Sequence, residues 1–201
     1  MPEITSIKPQ KNGKRVNIYL DDKFGFGIDL ENYVVLGLKE GNEYSQEEIE
    51  SIIKKAQFQK TLDKLLRFAT LRPRSQREIR YWLRRKKVHE SLNEELFKRL
   101  RRLELLDDEK FTKWWIDQRL SFKPRGKRAL KYELFQKGID KEVIEKILNE
   151  SEIDEAKIGK KLLEKNTYKW KKYKGLEEKQ KKSQFLARKG ISWDSIKKLI
   201  N

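Results

Sequence analysis

The sequence predicts a mainly α protein, in which three tandem three-helix repeats form an elongated curved array after a small α+β N-terminal domain. Apolar residues alternate with the period of a strand only before residue 58, and they follow the helical period from Phe58 onward. A segment around a central leucine then recurs, with Leu83, Leu134 and Leu186 spaced 51 and 52 residues apart. Because a three-helix unit of about 45 residues rarely folds alone, neighbouring units are expected to stack. The expected domains are 1–57, 58–106, 107–153 and 154–201.

The N-terminal domain is expected to begin with three short strands. Strand-like patterns cover residues 4–7, 15–20 and 24–28, with a turn at 11–14. In the third strand Phe24, Phe26 and Ile28 occupy alternate positions, so they should share one face of the sheet.

Two helices are expected to complete this domain. Asp29 is placed to cap a short helix over 30–36 that Gly37 closes, and Ser45 with Glu48 has the spacing of a capping box at the start of a second helix.

Each repeat is expected to contain a first, a middle and a last helix. The first helices are predicted around 65–71, 111–120 and 158–173. The middle helices are predicted at 77–86, at 128–137 and around 185–191, and the last helices at 92–105, 141–148 and 194–200. Gly138 and Gly190 follow two middle helices, where a left-handed cap is expected.

Composition excludes several classes of protein. The 201 residues carry a formal net charge of +17, no cysteine and one histidine. Disulfide scaffolds and thiolate metal sites are therefore excluded, and catalysis through histidine, a metal or another cofactor is not expected. No apolar run is long enough to span a membrane, and we expect a cytoplasmic monomer that is not an enzyme.

The net charge is unevenly distributed along the chain. It is −2 in 1–57, +9 in 58–106, +1 in 107–153 and +9 in 154–201. A near-neutral N-terminal module therefore precedes a basic body, and such a body indicates a polyanionic partner.

The exposed faces of the middle helices form the candidate binding surface. If Ile79 and Leu83 are buried, the helical period places Arg77, Tyr81 and Arg84 on the opposite side of the first middle helix.

An equivalent pair recurs in the second repeat. Arg128 and Tyr132 lie opposite Leu130 and Leu134. The planar fork of arginine suits phosphates or carboxylates better than an ammonium group does. The complete set of candidate partner-binding or nucleic-acid-binding residues is Arg74, Arg77, Arg80, Tyr81, Arg84, Arg85, Arg119, Lys123, Arg125, Lys127, Arg128, Lys131, Tyr132, Lys171, Lys172 and Arg188. Charged helix faces can also serve solubility alone, and that alternative stays open at this point.

Residues 168–174 interleave aromatic and basic side chains, as single-strand-binding surfaces do. Leu163, Trp170 and Tyr173 would share one side of a helix, however, which favours a core role for Trp170.

Three other features favour structural roles. Phe111, Trp114 and Trp115 have the spacing of a buried helical stripe. The acidic run 107–109 at the start of a helix is typical of capping rather than of a metal site. His89 has no partner histidine or cysteine, so a surface position is expected.

The central repeat carries an ordered run of motifs. They are Leu106-Asp107-Asp108-Glu109-Lys110-Phe111, Trp114, Arg119, Lys123, Gly126, Arg128, Leu130, Glu133-Leu134 and Lys137-Gly138-Ile139. The first repeat adds Arg74-Ser75-Gln76-Arg77-Glu78-Ile79 with Leu83, and the last adds Phe185-Leu186, Arg188-Lys189-Gly190-Ile191. This run resembles the bacterial RecX family, in its long form with a β-rich N-terminal extension.

The resemblance implies a regulator of homologous recombination and DNA repair. Its partner would be the RecA protein and the RecA–DNA filament, and it would inhibit ATP turnover, strand exchange and filament growth. The basic charge adds the expectation of weak direct DNA binding. The third repeat departs from the pattern. It has Lys182 at the position where the first two repeats have the apolar residues Ile79 and Leu130. The residues alone leave a second hypothesis open, namely a helical-repeat protein that binds DNA or RNA directly without sequence specificity.

Overall fold

The computed structural model describes residues 1–11 and 13–200 of the chain. They form two compact units. The first comprises Met1–Leu71 and Lys87–Leu100, and the second comprises Arg72–Lys86 and the described residues from Arg101 onward.

A three-stranded antiparallel sheet opens the first unit. Its strands are β1 (Ile4–Pro9), β2 (Arg15–Leu20) and β3 (Lys23–Asp29), and they pair in sequence order. The three predicted strands are therefore confirmed. The predicted turn at 11–14 includes Asn12, which lies outside the described residues.

Helices make up most of the remaining chain. In chain order they are α1 (Leu30–Val35), α2 (Gln46–Thr70), α3 (Gln76–Arg85), α4 (Asn93–Arg102), α5 (Asp108–Phe122), α6 (Lys127–Gln136), α7 (Lys141–Glu150), α8 (Glu155–Lys165), α9 (Gly175–Arg188) and α10 (Trp193–Ile200). This order confirms a mainly α protein that begins with a small α+β domain.

The predicted caps of the first unit are present. Asp29 accepts a hydrogen bond from the backbone N–H of Asn32 at the start of α1. Ser45 and Glu48 exchange the two hydrogen bonds of a capping box at the start of α2. α2 then runs without interruption through residue 57, so the expected boundary between 1–57 and 58–106 lies inside one helix, and the division into repeats stays a prediction.

Separate hydrophobic clusters lie in the N-terminal, central and C-terminal parts of the chain. The N-terminal cluster joins the inner face of the sheet to the first half of α2 and includes Ile18, Ile28 and Ile52. The central cluster lies among α5, α6 and α7 and surrounds Phe111. The C-terminal cluster includes Trp170, Phe185 and Leu186 with residues of α8 and α10. Trp170 is thus a core residue, as predicted.

One prediction for the sheet is wrong. Phe24 does not share the buried face of Phe26, because the register of β2 and β3 shifts between Ile18 and Tyr19. Ile18 pairs with Phe26 but Tyr19 pairs with Phe24, so one extra residue on β3 breaks the alternation. Phe24 is 61% exposed and packs edge-on against the Tyr19 ring.

The helix predicted over 158–173 is also shorter than expected. α8 ends at Lys165, where the Asn166 side chain donates to the carbonyl of Leu162 and the hydroxyl of Thr167 donates to the carbonyl of Glu164. These local bonds compete with continuation of the helix. A short 3₁₀ turn over Thr167–Lys169 follows.

Candidate functional site

The first middle helix, α3, exposes the predicted basic face. Its N-cap Ser75 accepts a hydrogen bond from the backbone N–H of Glu78, and Ile79 and Leu83 are fully buried. Tyr81 is 57% exposed on the other side of the helix. The basic side chains exposed with it are Arg77, Arg80, Arg84 and Arg85.

The second middle helix, α6, repeats this arrangement. Leu130 and Leu134 are fully buried, whereas Tyr132 is 66% exposed and Arg128 is exposed one turn before it. Lys131 is also exposed but forms an ion pair of 2.6 Å with Glu145 of α7. An Arg-x-x-x-Tyr pair therefore lies on the outer face of both helices, as the repeat predicts.

A set of hydrogen bonds joins the start of α3 to the end of α6. The Ser75 hydroxyl donates to the carbonyl of Lys137, the C-cap of α6, at 2.8 Å. Beside this contact, the backbone N–H of Gln76 donates at 3.3 Å to the carboxylate of Asp108, the first residue of α5. Gly138 follows the C-cap with φ of +77°, and the Arg77 side chain lies directly over it. We call this contact the first junction.

An equivalent contact, the second junction, joins the start of α6 to the end of α9. The backbone N–H of Gly126 donates to the carbonyl of Lys189, the C-cap of α9, at 3.0 Å. Glu155 accepts from the backbone N–H of Lys127 at 2.8 Å and from that of Ser192 at 2.9 Å. Gly190 follows the C-cap with φ of +79°. The left-handed caps predicted at both glycines are confirmed.

The two junctions place α9, α6 and α3 end to end. At each one the carbonyl end of a middle helix meets the amide end of the middle helix from the preceding repeat. These ends carry opposite partial charges, so the contact is electrostatically favourable as well as hydrogen-bonded.

A network of charged and aromatic side chains centres on Trp115 in α5. The indole N–H donates to Glu133 at 3.0 Å, and Arg119 pairs with the same carboxylate at 2.6 Å while its guanidinium lies over the Trp115 ring. Lys137 lies over this ring as well, at 4.7 Å from its centre. Arg125 makes a longer contact of 3.7 Å with Glu133. Much of the motif run of the central repeat is therefore engaged in bonds within the protein.

Glu78 connects this network to the first junction. It forms ion pairs of 2.8 Å with both Arg72 and Lys137. Burial raises the pKa of the Glu78 carboxyl, but the hydrogen bonds and charges of Arg72 and Lys137 outweigh it and hold the pKa below its ordinary value. Glu78 is therefore fully ionised near neutral pH.

Asp108 has the opposite shift. Burial raises the pKa of its carboxyl, and the nearby charges of Asp140 and Asp107 raise it further. The hydrogen bond from Gln76 lowers this pKa, but by less than the other effects raise it. Asp107 caps α5 by accepting from the backbone N–H of Lys110, so the acidic run has the predicted capping role. Among residues 1–11 and 13–200, no group of three or more acidic or histidine side chains is arranged to hold a metal ion.

The remaining candidate residues are distributed over the second unit. Arg74, Arg119, Arg125 and Lys127 are half-buried, whereas Lys123, Lys171, Lys172 and Arg188 are exposed. Arg188 is the last residue of α9, and Lys172 lies over the ring of Tyr173.

Sequence reasoning missed several charged residues at the junctions. Arg72 and Lys137 hold Glu78, and Lys189 is the C-cap residue of the second junction. Lys137 and Lys189 each precede the cap glycine, 52 residues apart, so the alignment of repeats contained the signal that could have identified them.

His89 is exposed, and its ring nitrogen accepts from the backbone N–H of Ser91 at the start of a 3₁₀ turn.

No helix in the described part of the chain combines the length and the apolar composition that crossing a membrane requires.

End-to-end middle helices with a repeated outer Arg–Tyr pair define a tandem helical-repeat protein with a basic outer face. Residues 2–45 match the family described as the regulatory protein RecX N-terminal domain, and residues 107–148 match the second three-helix domain of RecX. The chain belongs to the RecX family of regulatory proteins.

Curated relatives support this assignment. A regulatory protein RecX of Bacillus licheniformis is 36% identical over 98% of this chain and 75% of its own length. One of Clostridium perfringens is 32% identical over 100% of this chain and 95% of its own length. One of Listeria monocytogenes is 31% identical over 78% of this chain, and the match spans 58% of that longer relative.

Solved structures have the same fold. A crystal structure of a regulatory protein RecX aligns with a TM-score of 0.77, 25% identity and coverage of 99% of this chain and 98% of that one. The structure of RecX from Lactobacillus salivarius aligns with a TM-score of 0.63 over 72% of this chain and 94% of that one, at 24% identity.

Proposed function

We propose that this chain regulates homologous recombination and DNA repair by binding the RecA recombinase and its filament on DNA in the cytoplasm. Bound there, it inhibits ATP hydrolysis, strand exchange and filament growth. The observation that carries this proposal is the matched Arg-x-x-x-Tyr pair on α3 and α6. Exposed arginine and tyrosine are the side chains that protein interfaces favour, because they combine large contact area with hydrogen bonding.

The repetition of the pair favours a repetitive partner. Two equivalent surfaces on helices that meet end to end can engage two equivalent sites of a polymer, and the second contact then benefits from a high effective concentration. A nucleoprotein filament offers such sites. The net charge of +17 would in addition steer the chain toward the polyanionic filament.

ATP hydrolysis by RecA on single-stranded DNA tests the proposal. Sub-stoichiometric amounts of this chain should lower the rate, at a salt concentration where free DNA is not sequestered. No change in the rate or in filament length under these conditions would refute the proposal.

Charge reversal on the proposed face locates the interaction. Arg84 and Arg128 are exposed on α3 and α6, and the double variant Arg84→Glu with Arg128→Glu should weaken inhibition by about tenfold or more in effective concentration, as expected when one or two charge-assisted hydrogen bonds are removed. The control is Lys54→Glu with Lys55→Glu, which changes the net charge equally at exposed positions of α2. Equal weakening of inhibition in both variants would show that only net charge matters.

A second candidate function is direct, sequence-independent binding of DNA or RNA. The observation that favours it is the net charge of +9 in each of the ranges 58–106 and 154–201. Such binding should weaken steeply with salt. Loss of naked-DNA binding in Arg84→Glu with Arg128→Glu, with RecA inhibition intact, would assign this face to nucleic acid and the regulatory contacts to another surface.

A further inference from the structure

The two junctions differ at the position of Glu78. At the first, the Lys137 ammonium is 2.8 Å from a carboxylate oxygen of Glu78, which Arg72 also binds. At the second, Lys189 occupies the position of Lys137, but Ala129 occupies the position of Glu78. The second junction therefore keeps the lysine and lacks the carboxylate that neutralises it.

Further cations surround this lysine. The ammonium groups of Lys169 and Lys189 lie 5.3 and 5.4 Å from the centre of the same ring, that of the buried Phe185. Arg125 immediately precedes Gly126, whose N–H donates to the Lys189 carbonyl, and Arg188 immediately precedes Lys189.

The carboxylates near this cluster are engaged by other groups. Glu155 accepts from the backbone N–H groups of Lys127 and Ser192 and is not at ion-pair distance from Lys189. Arg125 contacts Glu133 at 3.7 Å, but that carboxylate is already held at 2.6 Å by Arg119. Within the described ranges, no carboxylate lies at ion-pair distance from Lys169, Lys189 or Arg188.

The electrostatic state of Lys189 agrees with this geometry. Partial burial lowers the pKa of its ammonium group, and the charges of Arg125, Lys169 and Arg188 lower it further. Every charged neighbour that shifts this pKa is a cation, so a bound anion would relieve the repulsion.

We propose that the second junction is a phosphate-binding site formed by Lys169, Lys189 and Arg125, with Arg188 at its rim. The arginine offers a planar fork for two phosphate oxygens, and the two lysines supply compact charges. The phosphate can come from the backbone of a nucleic acid strand or from a free polyphosphate.

The surroundings of the site favour a strand. Lys169 lies 5.6 Å from the ring centre of Tyr168, which is largely exposed. A base that follows the bound phosphate can stack on this ring, as bases do on the exposed aromatics of single-strand-binding proteins.

Binding of fluorescent oligodeoxythymidine, with inorganic tripolyphosphate as competitor, tests this site. The full chain is used without recombinase, so the result does not depend on the proposed regulatory function, and ATPase inhibition is measured separately. The variant Lys169→Gln with Lys189→Gln should bind about tenfold more weakly. The slope of log affinity against log salt should also fall by about 0.7 for each phosphate that the variant no longer binds.

The control variant is Lys160→Gln with Lys161→Gln, which removes the same charge from exposed positions of α8. Far-UV circular dichroism and slow exchange of the Gly126 amide verify that the second junction is intact in each variant. If Lys169→Gln with Lys189→Gln binds both probes as tightly as the control, the site does not exist.

The two probes distinguish the source of the phosphate. Weaker oligonucleotide binding without competition by tripolyphosphate supports a strand, and loss of tripolyphosphate binding alone supports a free polyphosphate.

A converse variant tests the contrast between the junctions. Glu78→Ala removes the carboxylate shared by Arg72 and Lys137 and should strengthen binding of the same probes. No gain would contradict the role given to the missing carboxylate.

Discussion

Three glycines with left-handed backbone provide a graded test of how closely the repeats pack. Gly175, Gly138 and Gly190 have φ of +56°, +77° and +79°, so alanine is strained at all three. They differ in the space for a methyl group. At Gly175 no atom lies within 4 Å of an added Cβ, at Gly138 the Arg77 side chain lies at 2.9 Å, and at Gly190 the backbone nitrogen of Ala129 lies at 2.4 Å.

These distances set the expected losses of stability. Left-handed backbone costs an L-residue about 1–2 kcal/mol, which the reduced entropy of the unfolded chain offsets by about 0.4–1 kcal/mol. Gly175→Ala should therefore lose at most about 1.6 kcal/mol. Gly138→Ala should lose slightly more, because the flexible stem of Arg77 can move aside. Gly190→Ala must displace the backbone of Ala129, and overpacking adds about 1–3 kcal/mol, for a total of about 1–5 kcal/mol.

Thermal unfolding followed by circular dichroism measures these differences. For a chain of this size each kcal/mol lowers Tm by about 2–4 °C, so Gly190→Ala should melt several degrees below Gly175→Ala. The Gly126 amide, which donates to the Lys189 carbonyl, should exchange faster only in Gly190→Ala. Equal Tm values for Gly175→Ala and Gly190→Ala would refute the close approach of the two helix ends.

Two acidic residues of the first junction should give opposite dependences on pH. Glu78→Gln removes a charge that is paired with Arg72 and Lys137. At pH 7 the variant should be less stable than the native chain by about 1–2 kcal/mol, a value discounted for partial exposure. This difference in stability should disappear as the pH falls below 4.5 and through the lowered pKa of Glu78. Asp108→Asn keeps an acceptor for the Gln76 N–H but removes a carboxyl whose pKa is raised in the folded chain. Above that raised pKa the ionised carboxylate destabilises the native chain, so the variant should be more stable. Below pH 3.8 the carboxyl is protonated in both the folded and the unfolded chain, and the two proteins should be equally stable. Urea unfolding from pH 3 to pH 8 checks both, and parallel pH profiles for the two variants would contradict the assigned shifts.

Local patterns in the sequence predicted most of the elements. The helical period identified the buried Ile79 and Leu83, and the spacing of Ser45 and Glu48 predicted a capping box that is present. These features depend on neighbours along the chain. The prediction failed at Phe24, because the extra residue in β3 is defined only by its pairing with β2.

The junctions could not be predicted for a related reason. Their bonds join residues about 60 positions apart, as between Ser75 and Lys137, and no local pattern specifies such a partner. The sequence predicts helix caps at Gly138 and Gly190, yet Lys87 adopts φ of +53° at the corresponding place in the first repeat. A positive φ therefore does not by itself require glycine there, and close packing against the neighbouring helix supplies the stronger reason.

The direction of the junctions has a consequence for synthesis on the ribosome. The amide end of α6 is completed by Glu155 and by the carbonyl of Lys189, both of which are translated later. At about 5–20 residues per second, Lys189 follows Gly126 by several seconds. During that interval the N–H groups at the start of the nascent α6 lack their protein acceptors, so the first and second repeats should acquire their final rigidity only when the repeat that follows each of them has left the exit tunnel.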